Sequence, residues 1–290
     1  MPESRKAGAV ESIRPKLTLR GRTFAWGSRT FVMGIINVTP DSFSGDGVAG
    51  DVDAALVRAH AMERAGADII DVGGESTRPG HVPVSEEEES ARVLPMIAAL
   101  RSALDIPISI DTFKPAVAAR AVELGADLIN CVWGAHPGIA EAAAAKGVPL
   151  VVMHNRASAD YAGDVVDEVI ASLERAACDV LAAGVPPAHI IVDPGIGFGK
   201  TAEHNVEILR RLADFRRRLP YPLLVGTSRK SFIGKITGLP VEQRAFGTAA
   251  SVALAIAAGA DIIRVHDVEA MVAVAQVADA ICRGAAKSDA

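Results

Sequence analysis

Ala65-Gly66-Ala67-Asp68-Ile69-Ile70-Asp71 sets the pattern of the whole chain: a glycine, a short apolar run, then a carboxylate where the run stops. Glycine reaches positive φ at no steric cost, so it ends a preceding helix well. The unbroken apolar run behind it suits a strand covered on both faces. The same connector returns as Gly125-Ala126-Asp127 before Leu128-Ile129-Asn130, and as Gly259-Ala260-Asp261 before Ile262-Ile263-Arg264. Runs of this kind occupy 31–37, 68–71, 106–111, 127–130, 149–154, 189–193, 222–227 and 261–266, with helix-length segments between them. About eight such strands predict an α/β protein, a (β/α)8 TIM barrel in one domain.

The intervening segments carry their own start and stop signals. Ser85 followed by Glu88 reads as a capping box, Pro115 fits a first helical turn, and Gly66, Gly125 and Gly184 read as helix stops. The acidic run of Glu86, Glu87, Glu88 and Glu89 falls in a first turn, where negative charge complements the helix dipole, so it calls for no metal. Apolar residues alternate over 17–24 around Arg20-Gly21, which predicts a short N-terminal hairpin plugging the barrel's lower end. Residues 1–15 mix charge, proline and glycine and read as a disordered tail, leaving 16–290 as the barrel.

Composition narrows the function. Among 290 residues only 4% are aromatic and the formal charge is −5, so neither a stacking platform nor a basic footprint for nucleic acid is present. The longest uncharged stretch, 245–260, falls short of a membrane span, and no secretion signal precedes the first strand. Cys131, Cys178 and Cys282 are widely spaced and odd in number, which fits a reducing cytoplasm. The expectation is a cytoplasmic protein with no nucleic-acid or membrane partner. The apolar outer helix over 245–258 suits a homodimer.

A barrel of this kind works at the carboxyl ends of its strands. There the sequence places Asn37, Asp71, Asp111, Asn130, His154, Asp193, Lys230 just past the seventh strand, Arg264 and His266. Asp111, Asn130, Asp193 and Lys230 offer acceptors, an amide and a cationic donor, the complement of a flat heterocycle edged with NH, NH2, C=O and ring nitrogen. Asn37, Arg264 and His266 offer donors and a cation ligand, which suits a phosphate or pyrophosphate. Gly195-Ile196-Gly197-Phe198-Gly199-Lys200 is one residue too short for a phosphate loop. Its glycines instead let backbone approach a flat ligand, with Phe198 or Met153 as an apolar face. The connections 38–50 and 73–84 are long for a barrel and read as lids.

Six segments, taken together and in order, resemble the dihydropteroate synthase family, the target of sulfonamides. They are Asn37-Val38-Thr39-Pro40-Asp41-Ser42-Phe43, Asp71-Val72-Gly73-Gly74-Glu75-Ser76-Thr77-Arg78-Pro79-Gly80, Ser109-Ile110-Asp111-Thr112, Asp193-Pro194-Gly195, Ser228-Arg229-Lys230 and Arg264-Val265-His266-Asp267-Val268. The resemblance implies a transferase of folate biosynthesis that joins 6-hydroxymethyl-7,8-dihydropterin pyrophosphate to p-aminobenzoate with magnesium present. It implies that Asp111, Asn130, Asp193 and Lys230 hold the pterin, and that Asn37, Arg264 and His266 hold pyrophosphate and its magnesium. Ser228, Thr77, Arg78 and Pro79 would border p-aminobenzoate, with Asp41 and Phe43 brought in by the first loop. The implied catalytic group is Asp111, Lys230, Arg264 and His266, and the pairing of anion-binding donors with carboxylates at one mouth suggests a dissociative route.

The chain departs from the family at Cys131, where Asn-Asp is usual. The expectation is a lost carboxylate that would order the adjoining loop or second shell. That loss also motivates a rival reading, a pterin-binding relative without turnover. Another rival, a methyltetrahydrofolate-dependent corrinoid methyltransferase barrel, shares the pterin carboxylates. It needs no pyrophosphate site, so Ser228-Arg229-Lys230 and Arg264-Val265-His266 weigh against it.

Overall fold

The computed structural model describes residues 15–39, 51–75, 83–134, 136 and 138–284. The tail, apart from residue 15, and most of both long connections lie outside these. β1 (Leu17–Leu19) and β2 (Arg22–Phe24) pair antiparallel through Arg20 and Gly21, both at positive φ (47° and 73°). Such a turn matches the strands' right-handed twist.

The chain then alternates: β3 (Phe31–Asn37), α1 (Val52–Arg64), β4 (Ile69–Gly73), α2 (Glu86–Ala103), β5 (Ile108–Asp111), α3 (Pro115–Glu123), β6 (Leu128–Cys131), α4 (Ile139–Lys146), β7 (Leu150–Met153), α5 (Val165–Ala182) and β8 (Ile190–Asp193). It continues with α6 (Ala202–Arg210), α7 (Leu212–Arg218), β9 (Leu224–Val225), α8 (Ser231–Thr237), α9 (Ala245–Ala257), β10 (Ile262–Val265) and α10 (Val268–Cys282). The inner strands are all parallel, in the order β8-β7-β6-β5-β4-β3-β10-β9. A bridge between Val192 and Leu223, with Val192 N–H donating to Pro222 O at 2.9 Å, brings the two ends of the sheet together. The expected barrel and hairpin are both present.

The repeated connector has a physical reason. Each of its aspartates sits beside the start of a neighbouring strand and takes a backbone N–H there: Asp68 from Val32 (2.8 Å), Asp127 from Ile108 (3.0 Å) and Asp261 from Leu223 (2.9 Å). The backbone N–H of the same aspartate donates to the carbonyl of the same partner. Buried backbone groups must be paired, and one side chain here meets the donors that the ladder has not yet reached.

Strand alternation divides the core in two. Phe31, Met33, Ile69, Leu128, Val151, Ile191, Leu224 and Ile262 point inward and pack with Leu17, Leu19, Phe24 and Trp26 of the hairpin segment, closing the barrel floor. Their neighbours Val32, Ile36, Ile70, Val72, Ile110, Ile129, Cys131, Val152, Val192 and Val265 point outward against the helices. Side chains alternate with period two, so the inward set continues toward the mouth as Asn37, Asp71, Asp111, Asn130, Met153, Asp193 and Arg264. The floor is apolar and the mouth is charged.

One local expectation changes. The run over 222–227 yields only two ladder residues, because the chain bends at Thr227–Lys230, with Lys230 N–H on Thr227 O (3.2 Å) and Arg229 at φ 55°. Ser85 caps α2 through Glu88 N–H (3.1 Å) and all four glutamates fall in its first turn, as expected; Glu89 is in addition buried and paired with Lys114 at 2.5 Å. Among the described residues no helix is long and apolar enough to cross a membrane.

Candidate active site

At the mouth, β4, β5, β6 and β10 deliver one connected charge cluster. Arg264 lies between two carboxylates, with Nε donating to Asp71 Oδ2 at 2.6 Å and Nη2 to Asp111 Oδ2 at 2.7 Å. Asn130 Nδ2 also donates to Asp71 Oδ2, at 3.0 Å. The second oxygens, Asp71 Oδ1 and Asp111 Oδ1, are buried and have no hydrogen-bond partner among the described residues. A buried carboxylate oxygen left unpaired is costly, so these two leave the cluster incompletely matched in the free protein. Burial lifts the Asp111 carboxyl to about 7; the Arg264 charge opposes the rise, while Asp71, Glu89 and Asp193 add to it. The Arg264 pKa is raised: burial works against it, but Asp71 and Asp111 outweigh that cost.

Across the mouth, β8 ends in Asp193, whose Oδ1 accepts Gly195 N–H at 2.7 Å. Burial raises its pKa against the pull of Lys230. Lys230 precedes α8, bonds to Ile196 O, and holds its ammonium 4.5 Å from the Phe198 ring centroid. Met153 is the register partner of Asp193 and shares its inward parity. A carboxylate, an ammonium, a ring face and a thioether thus gather on one side.

The third group is Ser228 with His266. His266 Nδ1 lies 2.9 Å from Ser228 Oγ, which also takes His266 N–H at 3.2 Å. Arg229 is held by Asp267, with Nε on Oδ2 at 3.0 Å, so the backbone around Ser228 is tied to the end of β10. Asn37, half-buried, ends β3 beside Gly73 of β4.

Most of the residues expected at the site therefore meet: Asp111, Asn130, Met153, Asp193, Phe198, Ser228, Lys230, Arg264, His266 and Asn37 share the mouth. Asp41, Phe43, Thr77, Arg78 and Pro79 lie outside the described residues. The two chemical sets are not separate, because Arg264 of the anion set is bonded to Asp111 of the heterocycle set. Asp71, read from sequence only as a strand end, stands at the cluster's centre; its inward parity with Ile69 was the available signal. His154 has outward parity and instead meets Lys200, at 2.8 Å.

Cys131 is fully buried on the outward face, and its thiol receives the backbone N–H groups of Trp133 and His136. Burial pushes that thiol up to about 11, so it is not a thiolate at neutral pH. As an acceptor for those groups it is weaker than a carboxylate.

With this geometry in place, known proteins can be compared. Residues 33–266 match the family model described as pterin binding enzyme. Dihydropteroate synthase of Synechocystis sp. is 48% identical over 279 residues, covering 93% of this chain and 96% of that protein. The chain belongs to the dihydropteroate synthase family. Among solved structures of the family, the enzyme of Clostridium difficile in the presence of pteroic acid superposes with a TM-score of 0.86 at 45% identity, covering 90% of this chain and 99% of that one. The Xanthomonas albilineans enzyme with 4-aminobenzoic acid gives 0.86 at 43% identity, covering 92% and 98%.

Proposed function

We propose that the chain condenses 6-hydroxymethyl-7,8-dihydropterin pyrophosphate with p-aminobenzoate, giving 7,8-dihydropteroate and pyrophosphate. The observation that carries this reading is the inward ring of Asp71, Asp111, Asn130 and Asp193 around a largely buried Arg264. Asp111, Asn130 and Asp193 match the NH, NH2 and carbonyl edge of the pterin. Lys230 adds a donor toward the ring nitrogens, while Phe198 and Met153 line the faces. Ser228 is assigned to p-aminobenzoate, as are Thr77, Arg78, Pro79, Asp41 and Phe43.

Arg264 and His266 bind the departing pyrophosphate. As the carbon–oxygen bond breaks, the electron pair leaves with pyrophosphate, and fixed donors at that point lower the barrier because they need no reorganisation. The electron-rich pterin carries the methylene cation, and Asp111, when ionised, supports it. The amine nitrogen of p-aminobenzoate then forms the new bond and releases a proton. Asn37 would hold magnesium through its amide oxygen, a hard donor of the kind that ion prefers. When bound, that ion would neutralise charge on the leaving group.

A coupled assay of the purified chain with both substrates, with and without magnesium, tests the reaction; pterin binding without product would favour a non-catalytic relative. Positional isotope exchange in labelled pterin pyrophosphate, with a non-nucleophilic p-aminobenzoate analogue, tests the dissociative route. No scrambling with a closed site would favour concerted displacement. The chain's cysteines are free, in keeping with a cytoplasmic setting. Phe246 and Leu254 of α9 and Val277 and Ile281 of α10 are exposed, which favours a homodimer through these neighbouring helices. Phe246→Glu with Leu254→Glu should convert a dimer to monomers in sedimentation.

A further inference from the structure

Lys200 belongs to neither chemical set at the mouth. Its ammonium lies behind Asp193, 2.8 Å from His154 Nδ1, 2.9 Å from Gly195 O and 3.0 Å from Phe198 O, with His154 O at 3.5 Å. An ammonium has three hydrogens and no acceptor, and three close acceptors surround this one. The arrangement requires His154 to accept at Nδ1 and to be neutral. Burial, followed by the charges of Lys200 and Arg156, drives the His154 pKa down to about 3 in agreement with that tautomer.

The two carbonyls belong to a turn that could not form without glycine. Gly195, Gly197 and Gly199 all have positive φ (68°, 86° and 55°), and a Cβ on Gly195 would stand 1.9 Å from His154 O. The opposite edge of the same turn serves the mouth. Gly195 N–H orients Asp193, Ile196 O receives Lys230, and the Phe198 ring lies under Lys230. Asn205 takes Gly197 N–H at 2.6 Å and Tyr161 donates to Gly199 O at 3.0 Å, but these hold the turn's far side. Gly195 O also takes Phe198 N–H at 3.1 Å, and among the described residues Lys200 is the side chain that reaches the carbonyls of both residues that set Asp193 and the ring.

We infer that Lys200 is a positioning residue for the pterin: it draws Gly195 and Phe198 onto His154 and thereby sets the Asp193 carboxylate and the Phe198 ring, without touching substrate. This rests on the pterin reading above. The groups facing the cluster are His154, Asp193, Lys230 and Arg156, with Tyr161 and His204 packed beyond them. Burial, aided by Lys230 and Arg156 and opposed by Asp193, lowers Lys200 to about 7. Once neutral it offers two hydrogens to three acceptors, so the clamp is complete on the acid side of neutrality.

The test compares Lys200→Met and Lys200→Gln with the unaltered full chain. Calorimetric binding of dihydropterin pyrophosphate with magnesium, KM for p-aminobenzoate at saturating pterin, and urea unfolding are read for each. Lys200→Met should weaken pterin binding roughly ten-fold or more, the scale expected when a binding group is displaced by a fraction of an ångström. KM for p-aminobenzoate should stay within about two-fold, and Lys200→Gln, which keeps an NH2, should recover part of the loss. A folded Lys200→Met with unchanged pterin affinity would overturn the assignment, as would equal loss in both constants. If the variants fail to fold, 15N spectra of histidine-labelled unaltered protein decide: Nδ1 of His154 should be an unprotonated acceptor from about pH 5 to 8, and a protonated Nδ1 would overturn the clamp. Failure of the unaltered chain to bind pterin would strike the functional reading, while the 15N signal reads the clamp independently.

Discussion

Asp71→Asn keeps the shape of the mouth and removes one charge from it. Asp71 is fully buried, and its Oδ2 receives Arg264 Nε at 2.6 Å while the other arm of the guanidinium reaches Asp111 at 2.7 Å. Two carboxylates on neighbouring nitrogens of one guanidinium are roughly 5 Å apart, which at an effective dielectric of about 20 is a repulsion of about 3 kcal/mol. At about 1.4 kcal/mol per pKa unit, the Asp71 charge accounts for roughly two units of the Asp111 shift. The Asp111 carboxyl stands at about 7, so the variant should bring it to roughly 5.

The assay is kcat/KM for pterin pyrophosphate against pH at saturating p-aminobenzoate and magnesium, a quantity that reports ionisations of the free enzyme. Ionised Asp111 is the form that accepts from the pterin, so activity should rise through its pKa, and the acid limb should move from about 7 to roughly 5 in Asp71→Asn. Taking the ratio of the two proteins at each pH cancels ionisations of the substrates. The plateau should fall, because Arg264 keeps only one carboxylate to aim it, and stability should fall by up to about 3 kcal/mol as a buried pair is weakened. A folded Asp71→Asn whose acid limb remains at the unaltered position would refute the coupling on which this account rests.

Asp111 also links stability to pH: its folded pKa of about 7 lies above an unfolded value near 4, so the folded state holds the proton more tightly and loses roughly 4 kcal/mol as pH rises between them. Asp111→Asn removes that loss, so its urea-unfolding free energy should gain on the unaltered protein across this window and stay level above it; a gap independent of pH would contradict the shift. Gly195→Ala places a Cβ against His154 O in a backbone of positive φ, and should lower stability by about 2 kcal/mol or more while weakening pterin binding. Near-unaltered urea midpoints would show that the turn yields. Cys131→Asp should leave turnover equal or higher, since a carboxylate accepts the Trp133 and His136 N–H groups better than a thiol does; a large loss in steady-state rate would mean that the thiol is used.

The barrel was readable because its strands are buried on both faces, which leaves apolar runs that end where water begins. Much of the site was readable for the same reason: Asp111, Asn130, Asp193 and Arg264 terminate such runs. Alternation decides which terminal residues count. Asp71 shares parity with Ile69 and faces in, whereas Cys131 shares parity with Ile129 and faces the helices, so the departure from the family pattern falls behind the sheet rather than against the pterin. His154 is a strand-end residue on the outward side for the same reason. No local signal reveals that Arg264 joins Asp71 across 193 residues of sequence, or that Glu89 leaves its helix surface for Lys114. Those pairings depend on barrel closure and on side-chain reach, which one-dimensional spacing does not encode.

A barrel that buries two acids and an arginine where it could bury hydrocarbon gives up stability, since desolvating ions is repaid only in part by their attraction. The apolar floor formed by Phe31, Met33, Leu128, Val151 and the hairpin makes that cost bearable, because it holds the strands in fixed register below the mouth. The reward is electrostatic preorganisation. Arg264 is already aimed by Asp71 and Asp111 before any ligand arrives. On the proposed reading the pterin donates to Asp111 and pyrophosphate gives Arg264 a further anion, so the charges that are incompletely matched in the free protein are better matched with both parts of the substrate in place. The same cluster then favours bond cleavage, and Asp71→Asn, which leaves the buried Arg264 with one carboxylate fewer, should lose both rate and stability.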